Sequence, residues 1–290
     1  MRFRQVLAAA LLFASAPASA AELPIKVVAA QNFYGEAAIA IGGDRVVVEI
    51  VAIGPDVDPH DFEPSPSIAR SFADARVVIV NGADYDHWAE QLLESTERPQ
   101  RVIVEAAGLI GVAEGENPHV WYDPRTMPAM AKALARTFAE LDPNGADGYE
   151  ARRSAYIDGL AAMKEKIASI RQRFEGTPIT ATEPVFGYMA DALGLEMSNQ
   201  DFQTAIMNET EPSAKEIAKV IDDIRDNRVK ALIYNTQVDD AMTSQFLVVA
   251  DEADVPIVGV TETTPNGVTY PDWMLNQLDT LEKALAGPSS

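Results

Sequence analysis

Seven short runs rich in Val and Ile limit the folds open to this chain: "IKVVAA" (25–30), "VVVEIVAI" (46–53), "VVIVN" (77–81), "RVIVE" (101–105), "PITA" (178–181), "KALIYN" (230–235) and "VPIVGV" (255–260). Gly, Pro, Asn or Asp bound them, and amphipathic stretches lie between. Near-continuous apolar strands are buried on both faces, which places them in parallel sheets covered by helices. Four runs fall before residue 110 and three after 175. Between the two groups lies "ADGYEARRSAYIDGLAAMKEKIASIRQRFEG" (146–176), which has no proline and keeps Leu160, Met163, Ile167 and Ile170 on one helical stripe. The spacing predicts a single helix over 146–174, about 40 Å long. The expected fold is α/β with two lobes, each a mostly parallel sheet flanked by helices. The N-terminal lobe is expected over 21–145, the stiff linking helix over 146–174 and the C-terminal lobe over 175–290. A Gly/Ser linker would leave two lobes loose, whereas a helix predicts that they shift only a little. The competing reading makes this helix one more surface helix of a larger single domain.

The first twenty residues, "MRFRQVLAAALLFASAPASA", join two arginines, a short apolar run and a small-residue cleavage signal. That is the pattern of a secretory signal peptide, too short for a membrane span. The chain has no cysteine, which excludes disulfides, thiolate metal sites and lipid attachment through an N-terminal cysteine. These features predict a periplasmic protein, exported by a cleavable signal peptide and carrying no lipid anchor; secretion to the medium is the other option. Loss of Arg2 and Arg4 with the leader takes the formal net charge from −21 to −23. Such acidity repels nucleic acid and anionic lipid. It suits a cationic ligand, and it serves equally well as a solubility device.

Only three histidines are present, and two sit in matched, proline-stiffened segments, "DPHDFEPSP" (58–66) and "NPHVWYDP" (117–124). His60 follows the second Val/Ile run and precedes an amphipathic helix, "SIARSFADA". His119 precedes the helix "TMPAMAKALARTFAEL". Flanking prolines restrict the backbone and so hold a side chain in place. Ligand sites of open α/β sheets collect beyond the carboxyl ends of strands. Glu183, in "ITATEPVFGYMADALGL", and Glu262, in "PIVGVTETTPNG", each occupy such an end in the second half of the chain. A single histidine in a loop, or a single glutamate before a helix, is ordinarily a surface or capping residue. Four in one topological place, two per lobe, make a candidate metal site. His87, in "YDHWAEQL", is expected at an exposed helix start and outside the site.

These segments resemble the TroA-like solute-binding proteins, the periplasmic zinc/manganese-binding components of ABC importers. The likeness runs through "VVAAQNFYGEAAIAIGGDRV", "PHDFEPSP", "NGADYDHW", "NPHVWYDP", "TEPVFGYMADALGL", "NETEPSAKEIAKVIDDIRDNRVKALIYNTQ" and "TYPDWMLNQLDTLEKAL". It implies two α/β lobes on a backbone helix, one divalent metal between them, and no enzymatic activity. It also implies an inner-membrane permease and a separate ATPase as partners; a monomer is expected, and nucleic acid is not a partner. His60 and His119 match the family's two N-lobe histidines. Glu183 falls where members carry histidine or glutamate. Glu262 falls where aspartate is usual, so its binding mode, through one oxygen or two, is open. Glu209 and Glu211, in "NETEPS", resemble parts of a structural loop.

Two imidazoles and two carboxylates make a hard-to-borderline donor set. It favours Mn²⁺, with Fe²⁺ or Zn²⁺ as alternatives, and Zn²⁺ outcompetes Mn²⁺ for most sites on intrinsic affinity. The resemblance adds that zinc members of the family usually carry a third histidine and often a histidine-rich acidic loop; this chain has glutamate at 183 and no such loop before His119, which points to manganese or ferrous iron. A metallohydrolase would need an open coordination position and a nearby base. No such base is seen at a matching strand end. An adhesin would be expected to carry a surface anchor. No phosphate-binding glycine loop is present, so ATP hydrolysis belongs to another protein.

Overall fold

The computed structural model describes residues 24–51, 62–208 and 210–287. The proposed signal peptide, His60 and Glu209 lie outside them. Two four-stranded sheets are present, and all of their strand pairs are parallel. The first has the order β2-β1-β3-β4, built from Ile25–Ala29 (β1), Val46–Ile50 (β2), Val77–Val80 (β3) and Val102–Glu105 (β4). The second has the order β6-β5-β7-β8, built from Pro178–Ala181 (β5), Glu196–Met197 (β6), Leu232–Asn235 (β7) and Ile257–Val260 (β8). Seven of these strands coincide with the Val/Ile runs. The eighth, β6, has two residues and no apolar run to announce it; Ile179 leads it by register onto Met197.

Each strand order turns back on itself once, between β1 and β3 and between β5 and β7. The crevice at such a switch point is where open α/β sheets bind ligands. In the first lobe it is flanked by the segment opening Asn32–Gly42 (α1) and by the loop 81–86. In the second it is flanked by Thr182–Glu183 and by the segment after Asn235.

The linking helix is present with one interruption. Ala146–Gly159 (α6) gives way at Leu160 to Ala161–Phe174 (α7). Leu160 keeps right-handed backbone angles (φ −83°, ψ 0°). Its N–H bonds the Ile157 carbonyl, and its carbonyl accepts from Lys164 N, each at 3.1 Å. The last turn of α6 therefore tightens without ending the ladder. α6 packs on α1 and on Thr126–Leu141 (α5) of the first lobe. α7 packs on Gly187–Leu193 (α8) and Tyr270–Ala286 (α12) of the second.

One hydrophobic cluster runs through both lobes, from Val27, Phe33, Trp121 and Tyr122 to Phe186, Val260, Tyr270 and Trp273. Its centre is an aromatic seam. Phe33 lies 5.4 Å from Trp121 and 5.7 Å from Trp273, and Tyr122 lies 5.5 Å from Phe186, centroid to centroid. Hydrogen bonds cross the same seam, from Tyr122 Oη to Thr261 O and Gln277 Oε1, and from Tyr270 Oη to Trp121 O, each 2.7 Å. The "NETEPSAKEI" segment has a structural use. Ser213 caps Ala214–Arg225 (α10) in a capping box with Glu216, which satisfies two N–H groups of the first turn. Glu211 is exposed. Among the described residues no helix is long and apolar enough to cross a membrane.

Candidate metal site

His119 immediately precedes a single 3₁₀ turn, Val120–Tyr122. The local sequence determines its orientation. Asn117 Oδ1 accepts from the His119 backbone N–H at 3.1 Å and lies 2.6 Å from Nδ1. An amide oxygen only accepts, so Nδ1 carries a proton, and in the neutral ring Nε2 is the nitrogen with the lone pair. The Asn117 amide nitrogen donates to Pro184 O at 2.8 Å, and Tyr188 Oη donates to Asn117 O at 2.7 Å. The asparagine that sets the tautomer of His119 is thus tied to the residue after Glu183 in the other lobe.

Glu262 follows β8 and is fully buried. Its Oε2 stands 3.6 Å from His119 Nε2. Tyr85 Oη donates to Oε2 at 2.9 Å, Asn235 Nδ2 donates to Oε1 at 2.6 Å, and the Glu262 backbone N–H bonds Gln237 Oε1 at 2.6 Å. These donors give each carboxyl oxygen of Glu262 a hydrogen-bond partner. His119 Nε2 is buried with no hydrogen-bond partner, and a separation of 3.6 Å is too long for a bond.

Tyr85 comes from a strained loop. Gly82, Ala83 and Asp84 all have positive φ, at 76°, 52° and 62°; for the two non-glycine residues that conformation costs energy. Asp86 holds the loop by accepting from Asn81 N at 2.7 Å and Gly82 N at 3.0 Å. Burial pushes its carboxyl up to about 6, against the pull of those two N–H groups. Asn81 in turn donates to Pro118 O at 2.8 Å, so the same loop braces the segment carrying His119.

Glu183 occupies the N-cap position of the turn Pro184–Phe186 but makes no side-chain cap bond. It lines a small cavity with Thr182, Phe202, Val238 and Asp240. The structure brings His119 and Glu262 together, and among the described residues no three His, Asp or Glu side chains form a metal-holding group. His87 opens His87–Ser95 (α3), exposed, with Glu90 Oε2 3.4 Å from its Nδ1. Sequence reasoning missed Tyr85, Asn117, Asn235 and Gln237 as partners of the site. Asn117, Asn235 and Gln237 lie in segments already singled out as strand ends or motifs, which is the signal that points to them; Tyr85 lies in "NGADYDHW", but its path to Glu262 is set by the backbone of residues 82–84.

The fold is that of a two-lobed solute-binding protein with polar residues buried at facing strand ends. Residues 27–284 match the model of the family described as ZnuA, zinc-uptake complex component A, periplasmic, and the chain belongs to that family. Similar relatives include the manganese-binding lipoprotein MntA of Halalkalibacterium halodurans, 27% identical over 278 residues (90% of this chain, 89% of the relative). The manganese ABC transporter substrate-binding lipoprotein PsaA of Streptococcus pneumoniae is 26% identical over 286 residues (90% and 89%). The iron-binding protein YfeA of Yersinia pestis is 25% identical over 254 residues (84% and 79%). Among solved structures, FpvC of Pseudomonas aeruginosa in complex with Mn²⁺ has a TM-score of 0.75 at 21% identity, covering 91% of this chain and 98% of that one. The periplasmic zinc-binding protein TroA of Treponema pallidum has a TM-score of 0.73 at 21% identity, covering 90% and 99%. The chain is accordingly the metal-binding component of an ABC importer, working with a permease and an ATPase, and it is not an enzyme. The expectation of a protein without a lipid anchor is overturned, because MntA and PsaA are named lipoproteins. A missing cysteine was too narrow a ground for it; what stands is a location outside the cytoplasmic membrane, periplasmic or extracellular.

Proposed function

We propose that this chain captures Mn²⁺ between its lobes through His60, His119, Glu183 and Glu262 and, as a monomer exported by its signal peptide, hands the ion to its permease. The observation that carries the reading is the buried Nε2 of His119, held in its lone-pair tautomer, facing the Glu262 carboxylate at 3.6 Å. Two donors about 2.1 Å from one ion and near the tetrahedral angle stand about 3.4 Å apart, so the pair has the spacing of ligands that share a cation. The choice of manganese rests on the donor set. Two carboxylates neutralise a divalent ion and suit a metal that accepts many oxygens, whereas zinc prefers four ligands rich in nitrogen or sulfur. MntA and PsaA are named for manganese, which supports the reading. The family description and TroA are named for zinc and YfeA for iron, which keeps those ions as the second reading.

Replacing Glu183 by histidine removes one charge and gives three nitrogens with one carboxylate. Glu183→His is expected to weaken Mn²⁺ binding relative to Zn²⁺ by about tenfold, or about 1.4 kcal/mol. Titration of both ions under competition with a chelator reads the ratio. An unchanged ratio removes the argument for manganese, and unchanged affinity for both ions removes Glu183 from the site.

A further inference from the structure

Asn235 is the last residue of β7, 1% exposed, and stands in register with Val260, two residues before Glu262. Its carboxamide is used at both ends. Oδ1 accepts from the Gln237 backbone N–H at 3.0 Å, and Nδ2 donates to Glu262 Oε1 at 2.6 Å. A backbone N–H only donates and an ionised carboxylate only accepts, so the amide has one satisfactory orientation. Turned over, its oxygen would face the carboxylate and its NH₂ would face an N–H.

The Gln237 side chain holds the other side of the same residue. Its Oε1 accepts from the backbone N–H groups of Glu262 and Thr263 at 2.6 and 3.2 Å, and its Nε2 donates to Thr263 Oγ1 at 3.2 Å. Gln237 thus fixes the backbone of Glu262, and Asn235 fixes its carboxyl group. The two carboxyl oxygens have different neighbours. Oε2 accepts from Tyr85 Oη at 2.9 Å and is the oxygen 3.6 Å from His119 Nε2. Oε1 is the oxygen bonded to Asn235. Two-oxygen ligation would set both at similar distances from one ion, which needs the carboxyl group to turn against the Asn235 bond.

We propose that Asn235 is a positioning residue that holds Glu262 to one-oxygen ligation: Oε2 binds the ion beside His119 Nε2, while Oε1 stays on the Asn235 amide. The inference rests on the four-ligand reading above and assigns the mode in which Glu262 serves it. A carboxylate oxygen accepts at two sites, so Oε2 can keep Tyr85 while it ligates. Withholding Oε1 also limits the oxygen count of the site. Mn²⁺ takes oxygen donors more readily than Zn²⁺, which prefers four ligands. Release of Oε1 should therefore favour Mn²⁺ relative to Zn²⁺.

The test crystallises the full chain and Asn235→Ala, each with Mn²⁺ and with Zn²⁺. It also titrates both ions into each protein under competition with a chelator and records melting without metal. In the parent, Oε2 is expected within ligand distance of the ion, about 2.0–2.2 Å for Zn²⁺, with Oε1 still bonded to Asn235. In Asn235→Ala, both oxygens are expected on Mn²⁺. Outer-sphere partners commonly change metal affinity by about tenfold or more, so Zn²⁺ is expected to lose about tenfold and Mn²⁺ less. Two-oxygen ligation in the parent, or ligation through Oε1 with the Asn235 bond broken, overturns the role of Asn235 and leaves the four-ligand site standing. An ion bound away from His119 and Glu262 overturns the four-ligand site and this proposal with it. One-oxygen ligation in Asn235→Ala, with affinity unchanged or falling equally for both ions, makes Asn235 a structural residue and also overturns its role. If Asn235→Ala does not fold, Asn235→Ser, whose hydroxyl is too short to replace the amide on Oε1, carries the same expectations, and the loaded parent decides the ligation mode by itself.

Discussion

Asn117 does two tasks with one side chain. Its oxygen sets the tautomer of His119 and its nitrogen reaches the carbonyl of Pro184 in the other lobe. Asn117→Ala frees the imidazole to turn and to change tautomer. Metal affinity is expected to fall by about tenfold or more, read by the same chelator competition, with little loss of metal-free stability. Asp86 offers a pH readout. Its folded carboxyl titrates near 6 against a reference of 3.8. The folded state thus holds this proton more tightly than the unfolded chain, and the stability so gained is complete below 3.8 and lost as pH rises through about 6; the gap is worth about 3 kcal/mol. Denaturant midpoints measured across that window should fall less steeply in Asp86→Asn than in the parent. The placement of Glu262 was legible in the sequence because it follows β8; His119 was singled out by its proline-flanked segment, but Ala106–Ile110 and a loop, not a strand, precede it. Tyr85 was not legible, because its route to Glu262 depends on three consecutive left-handed residues, two of them not glycine, and no sequence rule places Ala83 or Asp84 there.

At the scale of elements, seven strands were legible because burial on both faces demands unbroken apolar runs. β6 was not, since two residues carry no pattern. The interruption of the linking helix was hidden for the opposite reason. Leu160 continues the apolar stripe and is fully buried, so periodicity runs straight through it. The weak point is Gly159, which is exposed, and a Cβ there would meet no atom within 4 Å. Glycine in a helix costs about 0.5–1 kcal/mol relative to alanine. Gly159→Ala is therefore expected to raise stability by that amount in denaturant unfolding. A loss instead would mean that the tightened turn at Leu160 is required by the packing of α6 and α7 on their separate lobes.

For the whole molecule, the sequence predicted two lobes on a stiff helix, but not that the lobes share a core. That follows from Phe33, Trp121, Tyr122, Tyr270 and Trp273, which are far apart in the chain and meet only in three dimensions. Because the core is shared, heat should melt the protein in one transition rather than two. Trp121→Ala is expected to cost about 3–5 kcal/mol while keeping a single transition; two resolved calorimetric peaks would contradict the shared core. At the proposed site, metal held between the lobes would bind only the folded chain. A free metal concentration about 100 times the dissociation constant should add about 2.7 kcal/mol and raise the melting temperature accordingly. The aromatic seam has a further consequence for traffic at the membrane. A carrier whose halves are cemented together is expected to offer nearly the same outer contour whether laden or vacant, so vacant carriers should queue for the same berth as laden ones. Import is then expected to slow when carrier is overproduced relative to ion, which uptake measured at rising carrier-to-transporter ratio reads directly.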